Sequence, residues 1–76
     1  MQLEILTPDK TLFSGEVNKV TFPGADGEFQ ILINHASLVA SLKAGEIRID
    51  GIKGEEKVYV NGGVVEVLNN KIVVLA

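Results

Sequence analysis

Hydrophobic and polar residues alternate with a period of two along most of this chain. Val20 and Phe22 alternate with Lys19 and Thr21, and Ile47 and Ile49 with Glu46, Arg48 and Asp50. Val58 and Val60 flank Tyr59, and Val65 and Val67 flank Glu66. Successive side chains of an extended strand point to opposite faces, so this pattern sets one face on a core and the other toward water or a partner. Ile72 to Leu75 is apolar on both faces, as suits an inner strand or one covered by a partner.

Turn-forming residues punctuate these runs: Pro8-Asp9, Ser14-Gly15, Pro23-Gly24, Asp26-Gly27, Ala44-Gly45, Asp50-Gly51, Asn61-Gly62-Gly63 and Asn69-Asn70. Asn-Asn and Asn-Gly tolerate the positive φ that tight hairpins require. The spacing predicts strands over 2–7, 11–22 (broken near Val17, in the manner of a bulge), 27–33, 38–42, 45–50, 56–61, 63–68 and 71–75. A helical turn is expected only at 34–37, where Asn34 has the side chain to cap it. Short strands at this spacing read as an all-β fold, an antiparallel β-sandwich of about ten short strands in two sheets. Residues 1–76 form one domain in this reading.

Size and composition sharpen the picture. A chain of 76 residues buries only about 60% of the surface its unfolded form exposes, so its core must be dense in apolar groups. An apolar fraction of 46%, rich in Val, Ile and Leu, meets that demand. There is no cysteine, hence no disulfide and no thiolate metal site, and the single histidine, His35, cannot build a histidine cluster. No apolar run reaches the ~18 residues of a membrane helix. The opening MQLEIL lacks the basic stretch and cleavage site of a signal peptide. The expectation is a soluble, intracellular domain. A net charge of −3 with seven scattered basic residues argues against nucleic acid, which is bound by clustered Lys and Arg.

Catalytic chemistry finds no footing. Gly24-Ala-Asp-Gly27 is too short for a phosphate loop, and Glu28-Phe29 follows it instead of Lys-Ser/Thr, so it reads as a turn. His35 and Ser37 share one loop without an orienting acid. Asp26 and Glu28 read as a solvated edge. Lys53 sits in a hairpin tip as a lipoyl-lysine would, but its Ile and Gly neighbours do not match the usual flanks. No catalytic residue, cofactor or metal ligand is therefore assigned, and the function to look for is binding.

Family character shows in Pro23-Gly-Ala-Asp-Gly-Glu-Phe-Gln-Ile-Leu-Ile-Asn-His-Ala-Ser-Leu38. This stretch resembles the signature of the epsilon subunit of rotary F-type ATP synthases, in its N-terminal β-sandwich domain. Leu3 to Pro8, Leu12-Phe-Ser-Gly-Glu-Val17, Leu42-Lys-Ala-Gly-Glu-Ile-Arg-Ile49, Val60-Asn-Gly-Gly-Val-Val-Glu-Val67 and Ile72-Val-Val-Leu-Ala76 fit in the same order, so the resemblance covers the whole chain. Gln30 stands where the family has glycine, and Ile33, Ser37 and Ala44 where it has proline. Losing proline frees φ and restores an N–H donor. Relatives commonly continue into a C-terminal helical hairpin that restrains ATP hydrolysis, and this hairpin is expected to be missing here.

The resemblance implies a non-catalytic rotor subunit of the central stalk, one copy per complex, monomeric when isolated. It would bind the gamma subunit and rest on the polar loops of the c-ring, at the cytoplasmic face of the bacterial inner membrane without inserting. Carried over residue by residue, Asp26, Gly27, Glu28, Phe29, Gln30 and Ile31 match the part that meets the c-ring, with Glu28 as the main polar contact. Thr7, His35, Ala40 and Asn61 match positions that face gamma. Leu6, Leu32, Ile33, Val64 and Leu68, apolar residues off the main alternation, are expected to form an outward patch that holds it. The alternative is a free-standing small β-domain that binds a ligand or carries a prosthetic group on Lys53.

Overall fold

The computed structural model describes residues 1–76 and contains strands but no helix. In chain order the strands are β1 (Gln2–Leu6), β2 (Thr11–Gly24), β3 (Gly27–Leu32), β4 (Leu38–Leu42), β5 (Gly45–Gly51), β6 (Gly54–Val60), β7 (Gly63–Leu68) and β8 (Lys71–Leu75). They make two layers. In one, the first half of β2 pairs with β1, and the order continues β1-β8-β7-β4. In the other, the second half of β2 lies between β3 and β5, and β6 extends it beyond β5.

The sandwich is as the alternation predicts, but its two layers belong to one continuous eight-stranded sheet in place of two separate ones, because β2 pairs in both and meets β4 at Gly24 and Leu42. Two further refinements follow. There are eight strands, because the 14-residue β2 serves both layers where two shorter strands would otherwise be needed. One pairing, β1 with β8, is parallel. These are the first and last strands, and no hairpin joins them to force an antiparallel approach.

β2 changes layers through the expected irregularity. Val17 pairs with Gly51 and Lys19 with Asp50, so Asn18 is one residue extra. A bulge of this kind shifts the side-chain parity of the strand. Before it, Phe13 and Gly15 stand opposite Ile5 and Leu3 of the core; after it, Val20 and Phe22 point inward and are fully buried. A second shift, in which Ile5 pairs with Phe13 and Leu6 with Thr11, leaves Leu12 extra and bends the start of the strand.

Fourteen apolar residues form the core: Leu3, Ile5, Val17, Val20, Phe22, Ile31, Leu42, Ile47, Ile49, Val60, Val65, Val67, Ile72 and Val74. Every strand contributes at least one. Phe22 is the largest fully buried side chain, and Phe29 stacks on it at 5.4 Å between ring centroids.

The helical turn expected at 34–37 does not form. Asn34 adopts φ 63°, a left-handed conformation that cannot start an α-helix, and 35–37 run without regular structure. Its side chain pairs instead with Asn70, which also has positive φ. Asn69 and Asn70 (φ 50° and 61°) form the two-residue turn between β7 and β8, the conformation their sequence favours.

Phe22→Ala is expected to cost about 3–5 kcal/mol, a large share of what holds so small a domain together. Tyr59→Ala, whose ring is exposed, should stay within about 0.5 kcal/mol. Urea unfolding of the two variants checks the contrast.

Candidate functional site

Two surfaces stand out, and both are built from the same alternation that fills the core. The first is the β2–β3 hairpin. Gly24 pairs with Gly27 across the two-residue turn Ala25-Asp26. Both glycines are required there. A Cβ on Gly24 would strike the Gly27 carbonyl oxygen and come within 2.7 Å of the Phe29 ring, and Gly27 has φ 132°. The Ala25 N–H donates to the Ser41 carbonyl and the Lys43 N–H to the Pro23 carbonyl, both at 2.9 Å, tying the hairpin to the end of β4.

Of the six residues matched to the c-ring side, Ile31 is fully buried and Phe29 half-buried on Phe22. These two hold the hairpin in place. Asp26, Gly27, Glu28 and Gln30 are exposed. Glu28 is not free, because Arg48 Nη2 donates to its Oε1 at 2.7 Å.

The second surface is the outer face of the layer β1-β8-β7-β4. The registers set Ser41, Val64, Leu75 and Leu6 side by side in one row, and Val39, Glu66, Val73 and Glu4 in the next. Val39, Val64 and Leu75 are exposed, and Leu6 and Val73 half-buried. This patch adjoins the hairpin, since Ser41 is the residue that accepts from Ala25. Leu68 is exposed in a third row with Lys71 and Gln2. Leu32 and Ile33 are exposed at the far end of β3.

Of the patch read from sequence, only Leu6 and Val64 thus sit together. Val39 and Leu75 were missed. Their signal was present: with Leu38, Ala40 and Leu42 inward, Val39 must point out, and Leu75 follows the buried Val74 by one position.

The four residues matched to the gamma side are spread apart. Thr7 and Asn61 lie at the hairpin end, beside the segments where Leu6 and Gly63 meet the last residues of the chain. Ala40 faces the core, opposite Val65. His35 lies at the other end, where Asn34 and Asn70 form a reciprocal pair: the Asn34 N–H donates to Asn70 Oδ1 at 2.6 Å, and Asn70 Nδ2 donates to Asn34 Oδ1 at 3.1 Å. The His35 Nδ1–H donates to the Ala36 carbonyl at 2.7 Å, bracing its own loop.

No group of three or more His, Asp or Glu side chains converges as metal ligands would. Lys53 sits on the two-residue turn between β5 and β6. A cleft of about 380 Å³ beside it runs from Phe13–Glu16 to Gly51–Gly54, and only three of its ten lining residues are apolar, short of what an apolar ligand needs.

Comparison with known proteins gives a single direction. The family model for the ATP synthase delta/epsilon chain β-sandwich domain matches residues 1–76. The chain is 51% identical over 75 residues to the ATP synthase epsilon chain of Desulforamulus reducens, covering 99% of this chain and 57% of that protein. It is 47% identical over 75 residues to the ATP synthase epsilon chain of Chlorobium limicola, covering 97% of this chain and 85% of that protein. The chain therefore spans little more than half the length of the first of these relatives. In fold it is similar to a chain of the Euglena gracilis mitochondrial ATP synthase OSCP/F1/c-ring structure, with TM-score 0.88 and 21% identity over 97% of this chain and 48% of that one.

Asn70→Ala should lose both the bonds to Asn34 and the ease of a positive φ, whereas Asn70→Gly loses only the bonds. A left-handed non-glycine residue without local support costs about 1–2 kcal/mol. The thermal midpoint is thus expected to fall for Asn70→Gly and further for Asn70→Ala, with about 4–8 °C per kcal/mol in a domain of this size.

Proposed function

This chain belongs to the family of ATP synthase delta/epsilon chain β-sandwich domains, and we propose that it is a non-catalytic central-stalk (rotor) piece of such an enzyme. It binds the gamma subunit and the c-ring and passes torque between proton translocation and the catalytic head. It works as one copy per complex, peripheral to the membrane on the cytoplasmic face of the bacterial inner membrane, and is a monomer when isolated. No helix is long and apolar enough to cross a membrane.

The observation that carries this reading is the adjacency of two unlike surfaces at one end of the sandwich. The row Val64, Leu75 and Leu6 with Val39 offers apolar area for a lasting hold. Apolar burial contributes roughly 25 cal/mol per Å², whereas an exposed ion pair contributes about 0–1 kcal/mol. The apolar face is accordingly assigned to gamma, with Thr7 and Asn61 at its border. His35 and Ala40 contribute by shaping their strand and loop. The hairpin tip, with Asp26, Glu28 and Gln30 outward, is assigned to the c-ring. Its carboxylates position the foot of the rotor against basic loops and do not hold the assembly by themselves.

Gamma co-expressed with this chain is expected to co-purify, and Val64→Asp or Leu75→Asp should abolish that, each placing a charge in a dry contact. Failure of gamma to co-purify with the unaltered chain would remove the reading.

The orientation has its own test. A cysteine at Glu28 should crosslink on oxidation to one in the c-subunit polar loop, and a cysteine at Lys53, at the other end of the sandwich, should not. Glu28→Gln should leave folding and gamma binding intact with a small loss of ring affinity. Glu28→Lys should repel the ring and weaken coupling more, chiefly at low salt.

A further inference from the structure

The carboxylate assigned to the c-ring is already engaged. Arg48 lies on β5 and Glu28 on β3, with β2 between them, so their side chains meet over the top of the intervening strand. The contact is diagonal: Arg48 stands opposite Thr21, and Glu28 opposite Pro23. Thr21 lies on this face. Its parity points it outward, between the inward Val20 and Phe22, yet it is only 4% exposed, the one buried polar residue of the chain. Arg48 and Gln30 are its cross-strand neighbours, and the Arg48–Glu28 bridge leads from the first of them toward the Pro23 position.

The bridge uses one nitrogen and one oxygen, Nη2 to Oε1 at 2.7 Å. Glu28 Oε2 has no protein partner. Both side chains remain more than half exposed, at 51% and 64%. This is a pair that orders a carboxylate and can still be exchanged.

We infer that Arg48 is a positioning residue that sets the affinity of the hairpin for a basic protein loop, by pre-pairing Glu28 in the free chain and giving it up on docking. The inference rests on the proposed reading that Glu28 meets the c-ring. An incoming Lys or Arg engages the free Oε2 first, and the Arg48 bond then loosens. Until that exchange, the edge presents a neutralised carboxylate, which limits attraction to basic surfaces other than the proper one.

The cations beside Arg48 supply the control. Lys57 is its cross-strand neighbour on β6, on the same face, and makes no ion pair. Arg48→Gln and Lys57→Gln each remove one positive charge from this face, but only the first frees Glu28.

The experiment measures binding of the chain and its variants to a purified, detergent-solubilised c-ring at low and at physiological salt. Arg48→Gln is expected to tighten binding roughly two- to fivefold at low salt, the size of effect an exposed ion pair can exert. That gain should fall to the level of the general field effect when Glu28→Gln is added. The smaller gain from Lys57→Gln, a general field effect, should persist in the Glu28→Gln background. In the free chain, thermal midpoints of the Arg48→Gln and Glu28→Gln variants should combine non-additively.

An equal gain from both cation removals, persisting without Glu28, would reduce Arg48 to net charge and overturn the inference. Weaker binding by Arg48→Gln would overturn it in the other direction, making Arg48 itself a ring contact. If Glu28→Gln changes binding in neither background, the assignment of Glu28 to the ring is what fails, and the exchange falls with it.

Discussion

The structure depends on a single strand being shared by two layers. β2 runs for 14 residues, pairing first with β1 and then with β3 and β5. A flat strand of that length would keep one parity and could not present apolar side chains to the same core from both sheets. The extra residue Asn18 removes the conflict: Val17 and Val20, three positions apart, both end up inside. A domain of this size has no second core to fall back on, so the whole apolar cluster relies on that one bulge. The closing pairings of β1 with β8 and of Gly24 with Leu42 then become possible because β2 has already turned the corner.

Much of this was written in the chain in legible form. Seven of the eight strands begin at the residue the alternation indicates, and the Asn69-Asn70 turn has the positive φ its side chains favour. The break in β2 was visible as a change of parity near Val17. What could not be read were relations between distant segments. The parallel meeting of β1 and β8 has no local signature, because it joins residues some 70 positions apart that no turn connects. Asn34 looked like a helix cap because the same short amide side chain favours both capping and the left-handed conformation. Its partner, Asn70, lies 36 residues away and decides between the two.

The candidate surfaces were legible to a similar depth. Exposure of Glu28 and Gln30 follows from strand parity alone, as does the inward Ile31 between Gln30 and Leu32, and Asp26 is exposed at the turn. The apolar patch was harder. Off-pattern residues such as Leu32, Ile33 and Leu68 are individually visible in sequence, but which of them share a neighbourhood is fixed by register across four strands. Only the pairings of Val64 with Leu75 and of Leu75 with Leu6 turn scattered apolar residues into a row. The Arg48–Glu28 bridge lies further out of reach, since it spans an intervening strand and depends on the twist that brings the diagonal positions together.

The sandwich also explains why two surfaces of opposite character can lie next to each other without compromise. In each layer the inward face is committed to the core, which leaves the outward face free of any packing requirement. The outer face of β1-β8-β7-β4 carries Val39, Val64 and Leu75, while that of β3-β2-β5-β6 carries Lys19, Arg48, Asp50, Glu55 and Lys57. On the proposed reading, the first surface supplies a large contribution that does not depend on salt, and the second a small one that does. A rotor element must stay attached through every turn, which favours apolar area for the permanent contact. Where it meets a ring of repeated subunits, small exchangeable charge contacts set position without adding a hold strong enough to favour one angular stop over another.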